Sequence, residues 1–148
     1  MPAGRGRTEK EFPVSRNVSA AYRGQSGNMP LRCLLVDDSD AFLEAASLLL
    51  EREGVTVAGV ASDIAGALRQ ARVLRPDVIL VDIGLGTESG FTLAGLLASG
   101  EQDVGVILIS AGAEADYADL IAESPAAGFL AKPDLSAWRI GQILGYAL

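Results

Sequence analysis

Four of the five apolar runs in this chain end in a residue that carries chemistry. Leu34-Leu35-Val36 runs into Asp37-Asp38, and Val78 to Val81 runs into Asp82. Val104 to Ile109 ends in the hydroxyl of Ser110, and Phe129-Leu130-Ala131 ends in Lys132. In an open parallel sheet, ligands collect outside the carboxyl ends of the strands. These groups therefore converge on one edge if the runs are parallel strands. Three carboxylates placed together favour one another's protonation. A divalent cation relieves that conflict, and Lys132 adds a mobile positive charge. The pattern points to a site for a magnesium ion and a phosphoryl group.

Between the runs lie helical segments. Leu31–Val36 reads as a strand and Asp40–Glu53 as a helix stopped by Gly54. Val55–Ala61 is a second strand. Ser62 or Asp63 can cap a helix to about Leu74, and Pro76 breaks the chain before the strand Val78–Val81. Gly90–Ser99 is the third helix and Val104–Ile109 the fourth strand. A helix over about Glu114–Glu123, the strand Gly128–Ala131 and a helix over about Leu135–Tyr146 complete the series. Strands alternating with helices imply parallel pairing, and continuous apolar strands imply cover on both faces. The expected fold is α/β, a doubly wound five-stranded parallel sheet with helices on both faces.

Residues 1–28 stand apart. They lack hydrophobic periodicity, are rich in Gly, Arg, Ser and Asn, and read as a disordered leader with no signal-peptide core. Met29 could be the true start of translation, so the expected domain is 29–148. The chain of 148 residues carries a formal charge of -7. Five basic and two acidic residues fall in the leader, which leaves a net of -10 on the rest. Such an acidic body argues against direct binding to nucleic acid. No apolar run approaches the roughly 18 residues of a membrane span. With no histidine and one cysteine, Cys33, imidazole-based catalysis and zinc are set aside. Cys33 reads as a buried small hydrophobe, and a reducing cytoplasm fits.

The strand-end residues, in this order and at these intervals, resemble the receiver domain of two-component response regulators. The resemblance runs from Leu31 to about Tyr146 and includes Gly90, eight residues past Asp82. It is greatest to receivers that often carry a helix-turn-helix output domain. It implies that Asp82 is the phosphoacceptor, supplied by a sensor histidine kinase, a phosphotransfer protein or a small phosphodonor. Magnesium would be held by Asp37, Asp38, Asp82 and the backbone carbonyl of Gly84, a hard oxygen set of the kind the ion prefers. Lys132 would contact the phosphoryl group. Ser110 and Phe129 would act as the switch pair, with Ala111 small enough to leave Asp82 accessible. The output would be a change on the face of the fourth helix, fifth strand and fifth helix, which could also form a homodimer. No enzyme is implied beyond self-assisted transfer and hydrolysis. The resemblance also implies a cis bond between Lys132 and Pro133. Two departures stand out: Gly86, where many family members have proline, is expected to loosen the loop, and Phe129 replaces the commoner tyrosine.

Other readings of the same residues exist. Asp40 reads as a helix-start charge rather than a site residue. Asp37 or Asp38 alone could be a helix cap, and Trp138 is expected to pack against the sheet. The segment Asp82-Ile83-Gly84-Leu85-Gly86 imitates a glycine-rich dinucleotide loop, but it follows the third strand and lacks the ribose acid. Asp38-Ser39-Asp40 offers the pattern of a haloacid dehalogenase-type phosphatase but leaves Asp82 unexplained. Two alternatives keep the receiver fold: an interaction module that is never phosphorylated, and a receiver fragment of a DNA-binding transcriptional regulator.

Overall fold

A computed structural model describes residues 30–146 of the chain. The leader at 1–28 lies outside the described residues. Strand β1 (Arg32–Val36) is followed by helix α1 (Asp40–Arg52), β2 (Thr56–Ala61), α2 (Ile64–Leu74) and β3 (Val78–Asp82). Then come α3 (Gly90–Ala98), β4 (Gly105–Ser110), α4 (Ala118–Glu123), β5 (Gly128–Ala131) and α5 (Ala137–Leu144). The five strands form one parallel sheet in the order β2-β1-β3-β4-β5. The strand order therefore reverses between β1 and β3, the crevice where ligands of such sheets bind.

All five residues of β3 are buried, as its central position requires. Its side chains alternate between two cores. Val78 and Leu80 join Leu43, Ala46 and Leu50 of α1 and Ile140 of α5 on one face. Ile79 and Val81 meet Ala67 and Ala71 of α2 and Leu93, Ala94 and Leu97 of α3 on the other. Each fully buried Leu or Ile contributes about 1.5–3 kcal/mol of transfer free energy, so the central strands are firmly anchored. Helix α4 buries no residue fully and is the most lightly held.

Local chemistry sets the element ends. Ser39 accepts from the Phe42 N–H and caps α1, and Asp63 accepts from Gly66 to cap α2. Gly54, at φ +94°, ends the first helical segment, and α2 stops where Arg75 turns left-handed before Pro76. Asp40 sits exposed in the first turn of α1, in keeping with a dipole charge.

Several expectations are corrected. The segment expected as one helix at Glu114–Glu123 splits into a 3-10 turn, Glu114–Tyr117, and α4, because Tyr117 leaves the helical range (φ -127°, ψ 16°). The last helix starts at Ala137 rather than Leu135. A 3-10 turn at Lys132–Asp134 and the extended Leu135 and Ser136 precede it, with Ser136 as its cap. No peptide bond among the described residues is cis, so Lys132–Pro133 is trans. Pro133 sits in that 3-10 turn, and trans is the lower-energy form even of a bond before proline.

Trp138 is 63% exposed rather than packed on the sheet. Helix α5 buries Ala137, Ile140 and Gly141, and Trp138 falls off that stripe. The loop after Asp82 is a two-stranded antiparallel ribbon, Gly84–Leu85 with Glu88–Ser89, turning at Gly86. Cys33 is buried as expected. No helix among the described residues is long and apolar enough to cross a membrane.

Candidate functional site

Strand β1 ends at Val36, and the ladder continues one residue further, with the Asp37 N–H donating to Ala61 O at 3.0 Å. That bond fixes Asp37 in the crevice between β1 and β3, where its side chain is fully buried. Asp37 Oδ1 accepts from the Ser39 N–H at 2.8 Å. Asp37 Oδ2 lies 2.7 Å from Lys132 Nζ. Asp37 thus serves neither as the cap of α1, which is Ser39, nor as a solvated charge.

Asp82 ends β3 opposite Ile109 of β4, and the following Ile83 N–H donates to Ile109 O at 2.9 Å. Its carboxylate faces the same crevice. Oδ2 lies 3.5 Å from Lys132 Nζ, and Oδ1 takes a long 3.5 Å bond from the Gly84 N–H. Asp38 is exposed at the rim. One carboxylate oxygen from each of Asp37, Asp38 and Asp82 lies within 4.8 Å of the other two.

Electrostatics follow from this crowding. Burial, and then the Asp37 charge, push the Asp82 carboxyl above its ordinary value, while Lys132 and the Gly84 N–H pull it back. For Lys132, burial favours the neutral amine, but the bond to Asp37 and the charge of Asp82 outweigh it. Its ammonium is held above the ordinary lysine value. Three carboxylates facing one ammonium leave an excess of negative charge in a partly enclosed pocket. The donors are all oxygen, with one fully buried, which fits a small hard cation such as Mg²⁺.

Ser110 ends β4 and pairs with Ala131, the neighbour of Lys132. It is buried, and its Oγ accepts from the Gly112 N–H at 3.0 Å. Ala111 is exposed. Phe129 is half-buried and packs against the core beneath α2 and α3. Gly84 is exposed on the ribbon beside Asp82.

The structure therefore gathers Asp37, Asp38, Asp82 and Lys132 in one pocket, with Ser110 and Gly84 on neighbouring elements. Phe129 packs against the second core. Sequence reasoning missed Phe42, whose ring centroid lies 4.3 Å from Lys132 Nζ. The available clue was its position three residues past the cap Ser39, on the first helical turn after the acidic pair. It also missed the ribbon, which buries Leu85 under the loop.

Comparisons with known proteins agree with this architecture. A sequence model of the response regulator receiver domain matches residues 33–138. The transcriptional regulatory protein CseB of Streptomyces coelicolor is 35% identical over 110 residues, covering 74% of this chain and 46% of CseB. A protein-glutamate methylesterase/protein-glutamine glutaminase of Anaeromyxobacter dehalogenans is 37% identical over 105 residues, covering 70% of this chain and 30% of that protein. The chain thus spans half or less of these relatives' length. Among solved structures, the signal receiver domain of the response regulator NarL from Mycobacterium tuberculosis superposes with a TM-score of 0.70 at 30% identity. That match covers 78% of this chain and 98% of that one.

Proposed function

Since the chain belongs to the response regulator receiver domain family, we propose that it is a phosphorylation-controlled switch with Asp82 as the phosphoacceptor. The observation that carries the reading is the convergence of Asp37, Asp38, Asp82 and Lys132 at the crevice between β1 and β3. An Asp82 carboxylate oxygen attacks phosphorus and forms an acyl phosphate. The bond from phosphorus to the donor breaks, a P–N bond for a phosphohistidine, and the donor nitrogen keeps the electron pair. Its imidazole leaves neutral after taking up a proton. Lys132 neutralises the transferring oxygens as a point charge. Asp37, Asp38, Asp82 and the Gly84 carbonyl are the groups that would hold Mg²⁺, which when bound supplies charge neutralisation at the phosphoryl oxygens.

Donors are proposed to be a sensor histidine kinase or a phosphotransfer protein. After transfer, Ser110 gives up the Gly112 N–H and turns its hydroxyl to the phosphoryl group, and Phe129 follows into the space. The lightly held α4 and the exposed Leu120 and Trp138 suit a face that changes and docks, including on a second copy. Borohydride reduction of the phosphorylated protein tests the assignment. An acyl phosphate on Asp82 is converted to homoserine at position 82, read by peptide mass mapping. Conversion at another position, or none, contradicts it.

A further inference from the structure

We propose that Phe42 is a positioning residue for phosphoryl transfer, its ring face holding the Lys132 ammonium between Asp37 and Asp82. The inference rests on the phosphoacceptor reading above and adds to it a group on α1.

Lys132 reaches the site on a flexible four-carbon stem, and its ammonium needs a defined position to meet a phosphoryl oxygen. Its nearest partner, Asp37 Oδ2 at 2.7 Å, is one of the three carboxylates gathered in the pocket. A carboxylate loses much of its hold on an ammonium once a divalent cation shares it. An aromatic face does not, because its attraction comes from the ring quadrupole rather than from a net charge. The Phe42 centroid lies 4.3 Å from Nζ, well within the range of a cation–π contact.

The ring itself is fixed. Phe42 is half-buried against the core around α1 and α5. Its N–H donates to Ser39 Oγ at 3.2 Å, and the Ser39 N–H donates to Asp37 Oδ1 at 2.8 Å. Asp37, Ser39, Phe42 and Lys132 thus form a closed circuit of contacts at the start of α1. The cap, the buried carboxylate and the lysine are held in register through one aromatic ring. Any ring of similar size serves this role; an aliphatic side chain fills the space without attracting the ammonium.

The test is a double-mutant cycle of Phe42→Leu with Lys132→Met, with Phe42→Tyr as the ring-retaining control, on the full chain. Two quantities are read. One is the rate of Asp82 phosphorylation by acetyl phosphate with magnesium; the other is the thermal midpoint with a chelator present. The expected result is a slowing of about threefold to tenfold by Phe42→Leu in the Lys132 background. Phe42→Tyr recovers most of the rate, Phe42→Leu adds no slowing on Lys132→Met, and the midpoint shifts are likewise non-additive. Equal slowing in both backgrounds, no slowing, or additive midpoint shifts overturns the proposal. An unphosphorylated wild type instead overturns the phosphoacceptor reading, and the chelator cycle still decides whether Phe42 and Lys132 are coupled.

Discussion

Gly90 leaves no room for a side chain against the main chain of Asp82. A Cβ built on Gly90 would lie 2.9 Å from the Asp82 carbonyl carbon and equally close to Cα of Ile83. Its N–H donates to Ile83 O at 2.7 Å, so the start of α3 is bound to the end of β3. The glycine that follows the ribbon is therefore what lets helix α3 set the position of the Asp82 carboxylate.

Gly90→Ala forces the backbone at Asp82 to move, since the opposing atoms belong to the main chain. Overpacking of this kind costs about 1–3 kcal/mol. The expected outcome is a lower thermal midpoint together with slower phosphorylation at saturating phosphodonor, measured on the same preparation. An unchanged rate would show that Asp82 does not depend on this packing.

Asp82→Asn is expected to stabilise the protein at neutral pH when divalent cations are chelated. The folded carboxyl is raised by burial and by Asp37, so the unfolded chain loses its proton first. The penalty is absent below the ordinary carboxyl range and grows as pH rises through the raised value. Thermal melts at pH 7 should separate variant from wild type, and melts near pH 4 should nearly merge. The reverse order would contradict the electrostatic reading.

Removing the lysine leaves Asp37 fully buried without its cation, with the Ser39 N–H still donating to Oδ1. Breaking a buried pair in this way costs about 3–5 kcal/mol, less here because Lys132 keeps some exposure. Lys132→Met should therefore lower the midpoint, and Lys132→Met with Asp37→Asn should recover part of it. Magnesium should raise the midpoint of the wild type by mass action. That gain should be lost in Asp37→Asn with Asp38→Asn.

The turn at Gly86 carries the only positive φ in its two-residue hairpin, +70°, the pattern of a type II′ turn. Proline, which many family members have here, is confined near φ -65° and cannot adopt that turn. Gly86→Pro is expected to undo the ribbon and expose Leu85, with a lower midpoint and faster amide exchange at Leu85 and Ser89. Gly86→Asn, whose φ is not locked by a ring, should be milder.

The fold and the acidic pocket were legible because strand ends are written in short apolar runs. Asp37, Asp82, Ser110 and Lys132 each close such a run, and a parallel sheet sends all four to one edge. Phe42 was not legible, since a helix-start phenylalanine looks like any core residue until the lysine is seen above it. The ribbon escaped notice because two-residue strands leave no periodicity, so Gly86 looked like a loose loop. Trp138 was misplaced on size alone, whereas the buried stripe of α5 runs through Ala137, Ile140 and Gly141. Tyr117 breaks what composition alone reads as one helix.

The central claim is that Asp82 accepts a phosphoryl group. Intact mass after incubation with magnesium and acetyl phosphate, for the wild type beside Asp82→Asn, tests it most directly. One added phosphoryl group is expected on the wild type and none on the variant. Equal addition to both, or none on the wild type with any small phosphodonor or histidine kinase, would contradict it.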